Sequence, residues 1–180
     1  MPEQPLFDHA RIRAILPQRY PMLLVDQVLE LEPGSFIRTI KAITASEPCF
    51  AEVPEGGRYE YPRSLIIESL GQSAALLWLA DHPVAPADDR VLMFAGARDF
   101  RFDGPAYPGD VLRHDVRLDG VVADTAFASG ETWAGGRRVA TLSAMIATRR
   151  PVQLRGGPAA AVSGRPQFLN GADMSSKGSS

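Results

Sequence analysis

The sequence predicts an α+β domain in which one long apolar helix covers a face of an antiparallel sheet. Residues 61–80 form a mostly apolar stretch that carries a single ionisable group, Glu68, past its first turn. Most of the rest of the chain consists of short strand-like segments separated by glycine and proline turns, and this order favours an antiparallel sheet. With 180 residues, the chain can build one full core and is too short for two ordinary domains.

The composition excludes several classes of protein. A hydrophobic content of 45% is typical of a globular domain, and a formal charge of -2 provides no basic field for nucleic acid. No apolar run is long and clean enough to cross a bilayer, and the first residues lack the pattern of a secretory signal. The one cysteine, Cys49, excludes an internal disulfide. We therefore expect a cytoplasmic protein without membrane or nucleic-acid partners.

The first part of the chain predicts a helix, a hairpin and a long loop. Residues 7–16 predict a short helix with Asp8 near its N-cap. Residues 22–31 predict a strand, and residues 36–44 predict its hairpin partner across a Pro-Gly turn. Residues 46–61 are irregular, and loops of this length are often functional.

The central helix is framed by Pro62 at its start and by Asp81 near its end. Ser64, Glu68 and Gln72 recur at a spacing of four, which places them on one face of the helix. Because the rest of the helix is too apolar to face water, this polar line needs partners inside the domain.

The remainder of the chain predicts a meander of strands. Turns are expected at Gly104-Pro105, Asp119-Gly120 and Gly135-Gly136. From residue 151 the chain is rich in small residues and helix breakers, so we expect one domain over 1–150 and a flexible tail over 151–180. The strands are predicted near residues 91–97, 100–102, 111–118, 125–133 and 137–148.

Two interpretations of Glu68 follow from the residues alone. It is either a structural carboxylate that is capped or paired, or an acid/base group in apolar surroundings. The pattern of the helix does not choose between them.

Three blocks of the chain together resemble the β-hydroxyacyl-acyl carrier protein dehydratases of the hotdog fold. Residues 15–26, ILPQRYPMLLVD, are close to the family's ILPHRYPFLLVD. Glu47-Pro48 with residues 65–74 is similar to its NEPFF and LILEAMAQA, and residues 94–110 follow its spacing without a gap. The resemblance covers roughly residues 10–150.

The resemblance implies a curved antiparallel sheet wrapped around the central helix, with two protomers joined edge to edge around an acyl tunnel. Catalysis in the family uses a histidine from one protomer and the helix carboxylate from the other, and Glu68 falls on that carboxylate. The substrate would be an acyl chain on the phosphopantetheine arm of an acyl carrier protein, with no cofactor or metal. Backbone N–H groups near Ser64 and Leu65 would polarise the thioester oxygen. The implied substrate-binding residues are Gln72, Arg63, Ser64, Leu65, Val53, Tyr61, Phe100 and Phe102.

The chain departs from the family at the catalytic histidine. The family carries it in a GHFPG loop fourteen residues before the glutamate, whereas the loop here is one residue longer and has Val53 or Pro54 at that position. His9 lies on the leading helix and His82 follows the central helix, and His114 is predicted to be a core histidine with a satisfied ring. In addition, Arg63 replaces the family's glycine at the helix start, where it would block the thioester or hold an anion.

The expected docking surface for the carrier protein is also altered. Asp99 stands where the family usually has lysine, and Asp103-Gly104 replaces a basic pair. Basic residues near the tunnel attract an acidic carrier protein. The remaining candidates, which are otherwise merely solvated, are Arg98, Arg101, Arg137 and Arg138.

Three functions remain open from the sequence. The favoured one is the glutamate-contributing subunit of a heteromeric dehydratase of fatty-acid or polyketide metabolism, whose partner is a histidine-containing paralogue. The second is a homodimer with altered chemistry, such as a thioesterase or isomerase, assisted by Tyr59, Tyr61 or, less favourably, Cys49. The third is a non-catalytic subunit that binds an acyl chain or stabilises a partner.

Overall fold

Two helices and six strands make up the part of the chain that the computed structural model describes, residues 5–81 and 90–151. The predicted tail lies outside the described residues except for Pro151, which ends the last strand. The elements are α1 His9–Ile15, β1 Gln27–Glu32, β2 Phe36–Ala42, a 3₁₀ turn Pro48–Phe50, α2 Arg63–Asp81, β3 Arg90–Phe102, β4 Val111–Val122, β5 Thr125–Ala134 and β6 Arg137–Pro151.

The strands form one antiparallel sheet in the order β1-β2-β4-β5-β6-β3. Strands β1 and β3 are therefore its two edges. Helix α2 packs against this sheet, mainly on β4, β2 and β5. The predicted α+β class is confirmed, and the arrangement is that of a hotdog fold.

Helix α2 supplies most of the core. Leu70, Leu76 and Leu77 have no exposed surface and pack against residues such as Ile37 of β2 and Val116 of β4. Burial of each leucine side chain stabilises the fold by roughly 1.5–3 kcal/mol. Within the described ranges, neither helix combines the length and the apolarity that a membrane crossing requires.

The predicted strand over residues 22–31 is wrong in its first half, because β1 begins only at Gln27. The backbone of the preceding segment bonds to side chains of α2. Gln72 Nε2 donates to Met22 O at 2.6 Å, Leu24 N donates to Gln72 Oε1 at 2.8 Å, and Ser69 Oγ donates to Leu24 O at 2.7 Å. These bonds replace a strand ladder and tie the segment to the central helix.

Two predicted breaks in the sheet are also wrong. Asp119-Gly120 is no turn, since β4 continues to Val122 with a register shift between Leu118 and Gly120, and the turn follows at Ala123. The two segments near 91–97 and 100–102 form one strand, β3, because β6 pairs along its whole length. The bulge after Phe94 and the positive φ of Asp99, 51°, accommodate the irregular positions within β3.

The helix boundaries follow their predicted signals. The Asp8 carboxylate accepts a hydrogen bond from Arg11 N at 2.9 Å and so caps α1. Helix α2 begins directly after Pro62, whose carbonyl oxygen accepts from Leu65 N at 2.9 Å.

Candidate active site

Glu68 lines a cavity of about 150 Å³ between α2 and the facing strands. The walls are largely apolar and include Trp78 of α2, Phe94 of β3 and Met145 of β6. Four side chains in the lining carry polar atoms: Gln18, Glu68, Gln72 and Trp78, whose indole N–H can only donate. The half-buried carboxylate thus faces a partly open apolar space large enough for a small ligand or part of a larger one.

Gln72 holds the carboxylate in place. Its Nε2 donates to Glu68 Oε1 at 2.7 Å and to Met22 O, and its Oε1 accepts from Leu24 N. Gln72 is only 1% exposed, so both its N–H groups and its oxygen are committed within the protein. We infer that Gln72 positions Glu68 and has little capacity left for a substrate.

The other polar side chains of α2 form a separate buried network. Ser73 Oγ donates to Ser69 O at 2.9 Å and lies 2.7 Å from Thr39 Oγ1. Ser69 Oγ contacts His114 Nε2 at 2.8 Å in addition to Leu24 O. The predicted polar line is thus satisfied at Glu68 and Gln72, whereas Ser64 at its start is exposed, and the network of Ser69 and Ser73 is an addition to the prediction.

His114 has the satisfied core position that the sequence predicts. Because the single hydroxyl hydrogen of Ser69 goes to Leu24 O, Ser69 Oγ accepts from His114 Nε2–H. His114 Nδ1 then accepts from Thr132 Oγ1 at 2.9 Å. Complete burial lowers the pKa of His114 to about 3, against a small opposing effect of Asp115. The ring is a neutral structural group.

No histidine among residues 5–81 and 90–151 reaches the cavity. His114 is enclosed by its two hydroxyl partners, and His9 lies exposed on α1. His82 falls outside the described residues. At the family's histidine position, half-buried Val53 packs with a second apolar cluster, and Pro54 accepts from Gly57 N at 2.8 Å.

The comparisons with known proteins fit this geometry. The model of the FabA-like domain matches residues 16–143. The chain belongs to the FabA-like domain family. The 3-hydroxyacyl-(acyl-carrier-protein) dehydratase FabZ of Paracidovorax citrulli is 44% identical over 115 residues, which cover 63% of this chain and 77% of the relative. That of Actinobacillus pleuropneumoniae is 32% identical over 148 residues, 82% of this chain and 94% of the relative.

Solved structures agree on the fold of this FabA-like chain. The dehydratase heterocomplex ApeI:P from Xenorhabdus doucetiae has a TM-score of 0.64 and 19% identity, covering 78% of this chain and 91% of its own. Cj0977, a virulence protein of Campylobacter jejuni, has a TM-score of 0.57 and 13% identity, with 78% and 89% covered. At such identities these likenesses show the fold alone.

The predicted substrate-binding residues fall into two groups in the FabA-like fold. Gln72 lies beside Glu68 in the cavity. The others surround the start of α2, where Arg63 and Ser64 are exposed. Five of them belong to an apolar cluster outside the cavity lining: Leu65, Val53, Tyr61, Phe100 and Phe102. Their binding role stays a prediction.

The start of α2 has fewer free backbone N–H groups for an oxyanion than the sequence predicts. Leu65 N already donates to Pro62 O, so only the N–H groups before it remain for a ligand. The Arg63 guanidinium lies 5.1 Å from the centroid of the Phe102 ring and 3.8 Å from Glu60 Oε1. Arg63 therefore covers the aromatic cluster at the helix start, while its side chain stays 61% exposed.

The loop before α2 is fixed by a buried ion pair. Lys41, which is 7% exposed, donates from Nζ to Glu47 Oε1 at 2.9 Å, and Glu47 Oε1 also accepts from Thr44 N. Burial raises the pKa of the Cys49 thiol, which keeps it neutral and a poor nucleophile. Burial likewise raises the pKa of Tyr61, so this phenol is not an acid/base group near neutral pH.

The predicted docking arginines differ in their pairing. Arg137 donates to Pro105 O and lies 3.3 Å from Asp110, and Arg138 donates to Asp103 at 2.8 Å. Arg98 and Arg101 are exposed on the edge strand β3, without an ion pair to any described residue. These two guanidinium groups are the freer candidates for an acidic partner.

Sequence reasoning missed most of the cavity lining. Gln18 belongs to the block ILPQRYP, where the family has ILPHRYP, so the substitution itself was a signal. Trp78, Phe94 and Met145 come from three elements whose approach depends on the sheet order, and no local pattern could bring them together. Three or more metal-ligating side chains do not cluster anywhere in the described part of the chain.

Proposed function

We propose that this protein takes part in dehydrating a 3-hydroxyacyl thioester on an acyl carrier protein, as the subunit that supplies Glu68 to an active site completed by a histidine-bearing partner chain. The curated relatives are dehydratases that act on this class of substrate. The observation that carries the proposal is the position of Glu68, which Gln72 holds against an apolar cavity that no described histidine reaches.

The chemistry needs two groups. Removal of the C2 proton requires a base, and departure of the 3-hydroxyl as water requires an acid. In the proposed site the partner's histidine takes the C2 proton. Protonated Glu68 gives its proton to the hydroxyl oxygen, the C3–O bond breaks, and the C2–C3 double bond forms. The hydrogen bond from Gln72 orients the carboxyl group for this transfer.

The edge strand β3 supports a partner at this position. It is 13 residues long, and the exposed apolar side chains Val91, Met93 and Phe94 lie on it. An exposed apolar edge of this length is a template for pairing with another strand. Since Leu92 and Phe94 also line the cavity, a chain paired with β3 would lie beside Glu68.

A two-chain dehydratase with this fold has a precedent. The ApeI:P structure is a dehydratase heterocomplex, and it shares the fold with this chain. The likeness supports assembly from two different chains without identifying the partner.

The test is reconstitution with a relative from the same genome that carries a histidine in the corresponding loop. We expect each protein to bind the other, and the mixture to release water from a 3-hydroxyacyl carrier-protein thioester at least about 100-fold faster than this chain alone. A rapid dehydration, hydrolysis or isomerisation by the purified chain alone would instead support the homodimer. Full activity of a mixture that contains Glu68→Ala would support the non-catalytic subunit.

A further inference from the structure

The side-chain oxygen of Gln18 is buried and has no hydrogen-bond partner within the described chain. Its Oε1 atom is shielded from solvent and accepts no hydrogen bond from the described residues. The side chain lines the same cavity as Glu68. A buried acceptor without a donor is costly, and each such atom in a native fold needs a physical explanation.

The neighbouring polar groups cannot supply that donor. Both N–H groups of Gln72 are already committed, to Met22 O and to Glu68 Oε1. In the proposed reaction Glu68 gives its proton to the substrate, and no other side-chain donor of the lining, the Trp78 indole included, bonds to Gln18 Oε1. The donor for Gln18 therefore comes from outside the described residues, and a ligand in the cavity that Gln18 shares with Glu68 can supply it.

We propose that Gln18 Oε1 accepts the hydrogen bond of the 3-hydroxyl group of the acyl chain, and so makes the cavity selective for a hydroxylated chain. This inference rests on the proposed function. The acyl end of a 3-hydroxyacyl thioester has one donor, the 3-hydroxyl, because the thioester carbonyl only accepts. Gln18 thus binds the 3-hydroxyl group, which distinguishes this substrate from a saturated or unsaturated chain.

The contact also suits the reaction. When the hydroxyl hydrogen points to Gln18, the lone pairs of the hydroxyl oxygen remain free for the proton of Glu68. The C3–O bond then breaks, and the water formed retains the bond to Gln18 until it leaves. The product has no hydrogen-bond donor at C3, so its affinity for the cavity is lower than that of the substrate.

The segment that carries Gln18 is fixed from α2. Gln72 binds Met22 O and Leu24 N, and Ser69 binds Leu24 O, shortly after Gln18 in the chain. The side chain that positions Glu68 therefore also anchors the segment of Gln18. Through these bonds, Gln72 holds both the acid, Glu68, and the acceptor, Gln18, at the same cavity.

Binding of two non-reacting amides tests the inference: 3-hydroxybutyryl-pantetheine amide and butyryl-pantetheine amide, measured by calorimetry on the reconstituted pair. We expect the wild-type pair to bind the hydroxylated amide about tenfold more tightly. With the butyryl amide, Gln18 Oε1 stays buried without a donor, and this lowers the affinity by about a factor of ten. Gln18→Met should abolish this preference, so that the variant pair binds the two amides with equal affinity. Gln18→Leu is the second variant. The preference for the hydroxylated amide must vanish in each of the two variants that still binds the butyryl amide.

The outcomes separate the two proposals. Equal binding of both amides by a wild-type pair that dehydrates its substrate would overturn the role of Gln18 alone. A preference for the hydroxylated amide that persists in the Gln18 variants would also overturn the role of Gln18. Failure of the wild-type pair to bind either amide would overturn the acyl-thioester function together with this inference.

Discussion

At the scale of single residues, the site depends on a glutamine whose bonds are all internal. Gln72 joins the carboxylate of Glu68 to the backbone at Met22 and Leu24, which lie 50 and 48 residues earlier in the sequence. Hydrogen bonds to charged groups are stronger than neutral ones, and an orphaned buried N–H is costly. Gln72 therefore serves stability and the orientation of Glu68 together.

Substitution of Gln72 by methionine should test this double role. The Leu24 N–H would lose its acceptor in a buried position, so we expect the free energy of unfolding to fall by about 2 kcal/mol. Urea denaturation measures the change. Ser64→Ala, on the same helix face but exposed, should change stability by less than about 0.5 kcal/mol. A loss in Gln72→Met no larger than that of Ser64→Ala would contradict the account.

His114 should make stability depend on pH below neutrality. The ring is neutral in the folded protein, where its pKa is about 3, whereas the unfolded chain protonates near pH 6.5. The unfolded state therefore binds more protons between these values, and the free energy of unfolding should fall as the pH drops through this window. The contribution is at most about 1.4 kcal/mol per pH unit and ends below about pH 3.

Denaturation of His114→Gln and His9→Gln across this pH range measures the contribution. We expect the slope of stability against pH to become smaller in His114→Gln and to stay unchanged in His9→Gln, whose ring is exposed. Equal slopes in the wild type and in His114→Gln would show that the buried ring is not responsible.

At the scale of elements, helix α2 combines a core face with a cavity face. Gly71 lies on the cavity side, where a Cβ atom would meet nothing nearer than Met145 Cε at 3.8 Å. This distance is an ordinary van der Waals contact with the end of a flexible side chain. The glycine is therefore not needed for close packing within the described chain, and it costs helix stability.

Gly71→Ala should accordingly raise the free energy of unfolding by about 0.5–1 kcal/mol. Gly71→Leu should instead fill the cavity and weaken binding of the butyryl amide at least about tenfold. Thermal denaturation and calorimetry measure the two effects. Destabilisation by alanine would show that this position is more tightly packed than the structure indicates.

The elements also show how far sequence reasoning extends. The long helix, its start after Pro62 and the strand-rich remainder follow from local patterns, and Glu68 with Gln72 follows from the helical period. The segment 22–24 could not be predicted correctly, because Met22 O, Leu24 N and Leu24 O bond to side chains 45–50 residues away. The position of Gln18 in the cavity lining could not be predicted for a related reason, since only the path of that segment brings its side chain there.

At the scale of the whole molecule, the free charges and the free sheet edge lie on the same strand. Strand β3 carries the guanidinium groups of Arg98 and Arg101, which form no ion pair with a described residue, together with the exposed apolar side chains near its start. The predicted docking residues Arg137 and Arg138 are instead engaged by Asp110 and Asp103. We therefore expect the carrier protein to depend chiefly on Arg98 and Arg101.

Charge reversal at both positions, Arg98→Glu with Arg101→Glu, should weaken binding of an acidic acyl carrier protein about tenfold at low salt, and less at high salt because exposed charges are screened. The same reversal at Arg11 and Arg13 of α1 is the matched control and should have little effect. Surface plasmon resonance with the reconstituted pair measures both. A stronger loss with the α1 variants would move the docking surface to that helix.

The most direct test of the central claim compares two glutamate variants of the reconstituted pair. If the working site combines Glu68 of this chain with the histidine of the partner, Glu68→Gln in this chain should lower the dehydration rate at least about 100-fold. The corresponding glutamate-to-glutamine change in the histidine-bearing partner should leave the rate nearly unchanged, because the site it faces lacks a histidine. The reverse result, with loss only for the partner's glutamate, would contradict the account.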